Sequence, residues 1–225
     1  MKLSIALDGP AGSGKSTVAK LLAQRLNIMY INTGAMYRAI TLIAMRNNIN
    51  HNDKENLQSL AESLVMHFNN DKLIVNDEDV TDKISMPIIS KNVPVYSAIP
   101  EIRNVLVKLQ RKIADKYNVV MDGRDIGTVV LKDAPYKFFL VADSKVRADR
   151  RYKELIGKGL NVDFDEILFD IEKRDLEDST REISPLKKAD DAIIIDSSML
   201  SIEEVLEKII EYILLSSPHL VPLNL

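Results

Sequence analysis

Nine residues near the start of the chain, Gly9-Pro10-Ala11-Gly12-Ser13-Gly14-Lys15-Ser16-Thr17, carry the spacing G-x-x-x-x-G-K-[ST] of a phosphate-binding loop. Glycines let the backbone take angles that a Cβ forbids, so successive N–H groups can turn inward around an anion. The helix that follows adds its positive end. Lys15 is long enough to reach the outer phosphates of a nucleotide, and the Ser16 hydroxyl suits a magnesium ion. A Gly-rich turn with no ligand is the bland alternative. A buried strand before the loop and a helix after it weigh against that reading.

Other residues could work beside such a loop. Asp122 closes the apolar run Val119-Val120-Met121, where a P-loop protein places a carboxylate that orients magnesium through water. Gly123-Arg124-Asp125-Ile126-Gly127-Thr128 follows, and reads either as part of a site or as a buried ion-pair turn. Thr33 is expected to cap a helix that carries Arg38 a little over one turn in. Arg38 is either a solvated charge or a phosphate clamp. The basic face of Ile102 to Tyr117 reads as solvated, with Arg103 set apart from it. Arg147, Arg150 and Arg151 lie on one helical stretch, and Arg174, Asp178 and Arg181 on the next. Moving a phosphoryl group between two phosphates requires fixed positive charge over donor, transferred group and acceptor. Guanidinium forks suit that task better than lysines. An acceptor phosphate is already a nucleophile, so no strong general base is expected.

The elements that must hold these residues follow from hydrophobic periodicity. Leu3–Leu7, Ile28–Ile31, Val119–Asp122, Tyr136–Val141 and Ala192–Asp196 read as strands. Helices are expected over 15–26, from 33 onward, and over 53–64, 102–117, 144–156, 163–178 and 201–215. Strands alternating with helices predict a parallel sheet, with its chemistry at the carboxyl ends of the strands. Short strand-like pieces at 65–68, 72–75 and 78–80, separated by Asn- and Asp-rich turns, predict a small antiparallel insert. Pro87, Pro94 and Pro100 read as punctuation. The apolar, proline-broken stretch from Ser216 to Leu225 either packs on the domain or frays.

The 225 residues suffice for a full core, and 46% hydrophobic with 28% charged residues is ordinary globular composition. A net charge of −3 argues against broad nucleic-acid binding. Absence of cysteine excludes disulfides and thiolate metal sites, and three scattered histidines argue against a His-rich one. No apolar run approaches the roughly 20 residues that span a bilayer. With no signal-like N-terminal stretch, a cytoplasmic protein without a membrane partner is expected.

At these residues the chain resembles the cytidylate (CMP) kinases of bacteria, from Leu3 to about Ile213. The resemblance is carried by Asp8 through Thr17, by Thr33-Gly-Ala-Met-Tyr-Arg38, by Asp122-Gly-Arg-Asp-Ile-Gly-Thr-Val-Val130 and by Arg174-Asp175 with Asp178 and Arg181. It implies an α/β P-loop NTPase fold of three layers with a five-stranded parallel sheet. Residues 1–32, 117–147 and 182–216 would form the core of a single kinase unit. Residues 33–116 would bind the monophosphate and carry the insert near 65–84, and residues 148–181 would form a helical lid. The implied reaction moves the ATP γ-phosphoryl group to CMP or dCMP with Mg²⁺, in a monomer. By the same resemblance, Lys15, Arg124 and Arg174 are catalytic. Arg38, Arg124 and Arg174 hold the acceptor phosphate or bridge it to the donor, and Thr33, Arg103, Asp125, Asp178 and Arg181 contact the pyrimidine or its sugar. Gly9 to Thr17 with Arg150 and Arg151 bind ATP, and Ser16 and Asp122 serve the metal. One departure stands out: Pro94 occupies the register of a serine that contacts the base in many members, with Ser90 and Ser97 as alternative hydroxyls. A related kinase acting on UMP, AMP or shikimate, or a nucleotide-hydrolysing regulatory module, are the other readings. The second of these lacks its N-K-x-D guanine motif here.

Overall fold

The computed structural model describes residues 2–69 and 72–216. The expected turn at Asn70-Asp71 and the stretch 217–225 lie outside the described residues. In chain order the first half holds β1 (Ser4–Asp8), α1 (Lys15–Leu26), β2 (Met29–Asn32), α2 (Thr33–Arg46), α3 (Lys54–Ser63), β3 (Met66–Asn69), β4 (Lys72–Val75) and β5 (Glu78–Asp79). The second half holds α4 (Pro87–Ser97), α5 (Pro100–Lys116), β6 (Val119–Gly123), β7 (Tyr136–Val141), α6 (Ser144–Gly157), α7 (Phe164–Thr180), β8 (Ile193–Asp196) and α8 (Ile202–Ser216). The chain divides into two compact units: Met1–Tyr30 with Lys116–Leu225, and Ile31–Asp115.

The first unit is built on a five-stranded sheet of order β2-β6-β1-β7-β8. β1 pairs in parallel with β6 and β7, and β7 with β8. β1 is a continuous apolar run because a central parallel strand is covered on both faces. Ile5 and Leu7 of β1 and Phe138 and Leu140 of β7 share a buried cluster with Val18 and Leu22 of α1 and with Val205, Leu206, Ile209 and Ile213 of α8. The i, i+4 spacing of Val18 and Leu22 is what turns one face of α1 onto the sheet. Each fully buried aliphatic side chain of this kind stabilises the fold by about 1.5–3 kcal/mol. Register matters for function: Asp8 lies beside Gly123 and Leu7 beside Asp122. The ends of β1 and β6 therefore deliver the phosphate loop and the Asp122–Asp125 segment together. β1 also sits between β6 and β7, where the strand order reverses, the usual place for a ligand in an open α/β sheet.

The second unit carries helices α2 to α5 and the antiparallel sheet β3-β4-β5, paired from Met66↔Val75 to Asn69↔Lys72 and from Ile74↔Asp79 to Val75↔Glu78. Glu78 joins Arg46 of α2 at 2.8 Å and also pairs with Lys83. These groups are more than a third exposed, so each pair adds under about 1 kcal/mol.

Several expected boundaries shift. The N-cap of α2 is Asn32, whose side chain accepts the Ala35 N–H at 2.9 Å; Thr33 is the first helical residue and is buried. A whole helix, α4, occupies the stretch read as proline punctuation. Pro87 is tolerated there because it opens the helix, where its missing N–H would have had no partner. Pro94 lies inside it, and burial of Ile89, Val93 and Tyr96 on one face holds the helix together. α5 starts at Pro100, two residues earlier than periodicity suggested. β6 runs on through Gly123, and a π-helical turn, Ile126–Val130, follows it.

Core and surface positions should respond very differently to truncation. Leu22→Ala empties a fully buried position and is expected to cost about 2–5 kcal/mol, while Met199→Ala, at 92% exposure, should cost under ~0.5 kcal/mol. Thermal melts followed by circular dichroism check this; equal melting temperatures for the two variants would contradict the core assignment.

Candidate active site

The phosphate loop owes its shape to close backbone packing. Gly9 has φ +148°, and a Cβ there would lie 2.1 Å from the carbonyl oxygen of Leu140. No other residue fits without moving β7. Gly14 caps α1 with φ +89°, in the left-handed region. Two side chains brace the loop from behind. Arg147 of α6 donates to the Ala11 carbonyl at 3.0 Å, and the Ser197 hydroxyl, after β8, donates to the Ser13 carbonyl at 3.1 Å.

Lys15 is 4% exposed, and its Nζ donates to the Pro10 carbonyl at 2.7 Å. Burial holds its ammonium well below the usual lysine range, and the Arg124 guanidinium pushes the same way. Asp122 opposes that effect, and Arg174 adds to it. Two partly exposed guanidiniums thus act on one buried ammonium. Ser16 Oγ donates to Asp122 Oδ2 at 2.6 Å, and the Tyr30 hydroxyl donates to Asp122 Oδ1 at 2.9 Å. A hydroxyl beside a carboxylate, with oxygen as the only donor atom, fits a hard cation such as Mg²⁺. Among the described residues no group of three or more His, Cys, Asp or Glu could hold a metal.

Around this centre, Arg124 Nε donates to Asp178 Oδ2 at 2.7 Å. Arg181, just past the end of α7, lies 3.8 Å from Asp125 and 3.8 Å from Asp178. Burial alone would push the Asp178 carboxyl up, but Arg124, with Arg174 and Arg181, outweighs it and holds the carboxyl below its usual range. Lys15, Ser16, Asp122, Arg124, Asp125, Arg174, Asp178 and Arg181 are therefore all brought into one neighbourhood of the first unit. Arg174 and Arg181 are seven residues apart but do not share a helix: α7 ends at Thr180, and Arg181 takes extended backbone angles.

Of the arginines on α6, Arg147 is buried and ion-paired to Asp175 at 2.6 Å. Arg150 donates to the Ser197 carbonyl at 2.6 Å. Arg151 is exposed and pairs with Glu154 at 2.7 Å. In the second unit, Arg38 donates to Ser90 Oγ at 2.7 Å and to the Ile84 carbonyl at 3.2 Å. Arg103 is buried, stacks over the Tyr37 ring at 5.2 Å and donates to the Ser97 carbonyl. Neither serine hydroxyl offered as a substitute for Pro94 lacks a partner, since Ser97 Oγ donates to the Pro94 carbonyl.

Asp8 and Asp175 stood in the matching segments without a role, and Tyr30 and Ser197 were given none. Asp8 carried a readable signal, an acid on the last position of the strand that feeds the loop. The others are brought to the loop only by tertiary packing. No described helix is long and apolar enough to cross a membrane.

Comparison with known proteins gives a consistent picture. A family model described as cytidylate kinase matches residues 5–214. A cytidylate kinase of Clostridium acetobutylicum is 60% identical over 213 residues, covering 95% of this chain and 98% of the relative. One from Clostridium perfringens is 57% identical over 210 residues, covering 93% and 97%. Among solved structures, an uncharacterized protein from Eubacterium ventriosum shares the fold with a TM-score of 0.50 at 20% identity, covering 95% of this chain and 98% of its own.

The electrostatic balance at Asp178 can be tested directly. Its folded-state value is depressed, so its stabilising contribution is present above pH ~3.8 and is lost as pH falls through the folded value. Arg124→Ala removes its main cationic partner and should move the Asp178 carboxyl titration upward, read by ¹³C NMR of the side-chain carboxyl. An unmoved titration would show that Arg124 is not the partner that matters.

Proposed function

The chain belongs to the cytidylate kinase family and is an ATP-dependent nucleoside monophosphate kinase acting on CMP or dCMP; from that premise we propose how its residues divide the work. The observation that carries the proposal is the buried Lys15 ammonium of the phosphate loop with the Arg124 and Arg174 guanidiniums acting on it, an arrangement that an entering polyanion would relieve. The backbone N–H groups of the loop from Gly9 to Thr17, Pro10 excepted, and the Lys15 ammonium hold the ATP phosphates. Ser16 and, through water, Asp122 would hold Mg²⁺, which would supply neutralising charge to the ATP phosphates. Arg38, Arg124 and Arg174 hold the acceptor phosphate and bridge it to the donor. Thr33, Arg103, Asp125, Asp178 and Arg181 contact the cytosine or its sugar.

In the transfer, an oxygen of the CMP phosphate forms a bond to the γ-phosphorus in line with the breaking bond to the β,γ-bridging oxygen. ADP leaves with that electron pair, and CDP is formed. The attacking phosphate is ionised near neutral pH, so no protein base takes a proton. Arg124 and Arg174 offset charge that spreads over the equatorial oxygens, and their planar forks can each span two of them. Arg150 and Arg151 are assigned to ATP. Arg151 would exchange its surface pair with Glu154, a loss of under about 1 kcal/mol. A cytoplasmic monomer that meets its nucleotides free in solution is the assembly we read.

The test is ADP release by purified protein with Mg-ATP and, in turn, CMP, dCMP, UMP, AMP and shikimate. CMP or dCMP should give the highest kcat/KM. Lys15→Met should lower kcat at least ~100-fold, about 3 kcal/mol of transition-state stabilisation, with a melting temperature no lower than that of wild type. Near-normal turnover of Lys15→Met, or best activity with shikimate, would overturn the assignment.

A further inference from the structure

Asp8 is the last residue of β1 and is contiguous with Gly9 of the phosphate loop. It is 3% exposed. Its two carboxylate oxygens accept one backbone N–H each: Ile126 to Oδ1 at 2.8 Å and Gly127 to Oδ2 at 2.7 Å. Those N–H groups open the π-helical turn Ile126–Val130, where the first donors of a helical segment have no partner within it. The turn follows directly on Arg124 and Asp125. We propose that Asp8 is a positioning residue for phosphoryl transfer: by clamping this turn with both carboxylate oxygens it fixes where Arg124 and Asp125 stand relative to the phosphate loop. The kinetic side of the proposal rests on the cytidylate kinase reading above.

The clamp has the marks of a device rather than filler. A buried carboxylate is costly unless both oxygens are satisfied, and an apolar residue would leave two buried N–H groups without acceptors. Space is fitted to it as well. A Cβ on Gly127 would lie 3.3 Å from Asp8 Oδ2 and 3.2 Å from Lys137 Cδ, so residue 127 has no room to grow without pushing the clamp. Both partners of the clamp are tied to cations or phosphate ligands: Asp8 through Gly9, the turn through Arg124.

Charged groups face Asp8 from each neighbouring element. They are Lys15 from α1, Asp125 before the turn and, across Gly127, Lys137 from β7, itself held by Asp191 at 2.7 Å. Burial raises the Asp8 carboxyl to about 6 despite the two N–H donors, and Asp125 adds to the rise while Lys15 opposes it. The protonated form is therefore favoured by the fold. Its contribution to stability is full below pH ~3.8 and is lost as pH rises through about 6. The two-oxygen clamp shows the reverse dependence, complete above about 6 and weakened below it. Acidification should thus loosen the turn without lowering stability through this group.

The first experiment follows the Ile126 and Gly127 amides by ¹H–¹⁵N NMR of the full chain, without nucleotide, from about pH 4.5 to 8. Both should shift together with a midpoint near 6. Leaving nucleotide out keeps the titration of the CMP phosphate from intruding. The second compares Asp8→Asn with wild type at pH 7.5. A carboxamide offers one acceptor and turns a donor toward the other N–H, so kcat should fall roughly 10-fold or more, KM for CMP should rise, and KM for ATP should stay within about 2-fold. Gly127→Ala should reproduce that pattern by displacing the carboxylate. Flat amide shifts, or Asp8→Asn with kcat and KM for CMP within about 2-fold of wild type, overturn the proposal. If Asp8→Asn does not fold, the titration and Gly127→Ala decide. An enzyme that leaves CMP untouched would sink the functional reading while the titration still judges the clamp.

Discussion

Like charges gathered in a buried place are the constraint around which the first unit is built. Lys15 is almost wholly buried, and Arg124 and Arg174 both act on it unfavourably. Desolvation and mutual repulsion each penalise such a group, and the fold must supply the energy from its core. The acids present offset it only in part. Asp178 holds Arg124 and Arg181, and Asp122 is shared between Ser16 and Tyr30. What remains is a buried ammonium beside two guanidiniums, at the loop that carries the phosphate-binding spacing.

Charge alone would be useless without a backbone cradle of fixed curvature, and that curvature comes from distant parts of the chain. Gly9 is pressed against β7, Arg147 reaches the Ala11 carbonyl from α6, and Ser197 reaches the Ser13 carbonyl from beyond β8. Arg147 also pairs with Asp175, the neighbour of Arg174 on α7. The loop that binds the donor phosphates and the helix that carries Arg174 are thereby joined through one guanidinium. A loop of nine residues near the N-terminus is shaped by side chains more than a hundred residues away.

That dependence explains what the sequence disclosed and what it withheld. Glycine and lysine spacing announced the loop because the backbone angles and charge it needs are local properties of residue type. Apolar runs announced β1, β6 and β7 because central parallel strands are buried on both faces. α4 escaped notice because proline weakens helices on average, and only the buried Ile89, Val93 and Tyr96 reveal that packing overrides it here. Thr33 was credited with a cap that Asn32 supplies, since either side chain has the chemistry and only the backbone angles decide. Tyr30 and Ser197 are single polar residues whose partners lie far along the chain. No local pattern marks them.

The second unit shows how one local departure spreads. In the reading proposed above, Arg38 serves the acceptor phosphate, and its guanidinium is held by the Ser90 hydroxyl and the Ile84 carbonyl. Ile84 lies in the 3-10 turn Lys83–Ser85 that follows the small sheet, and Glu78 binds both Arg46 and Lys83. The insert therefore braces α2, the helix that bears Arg38, rather than standing apart from it. Pro94 has no N–H to give to the Ser90 carbonyl four residues back, so α4 lacks a helical hydrogen bond at the residue that holds Arg38. Ser90, which holds Arg38, and Ser97, whose carbonyl holds Arg103, thus both belong to a helix that Pro94 weakens from within.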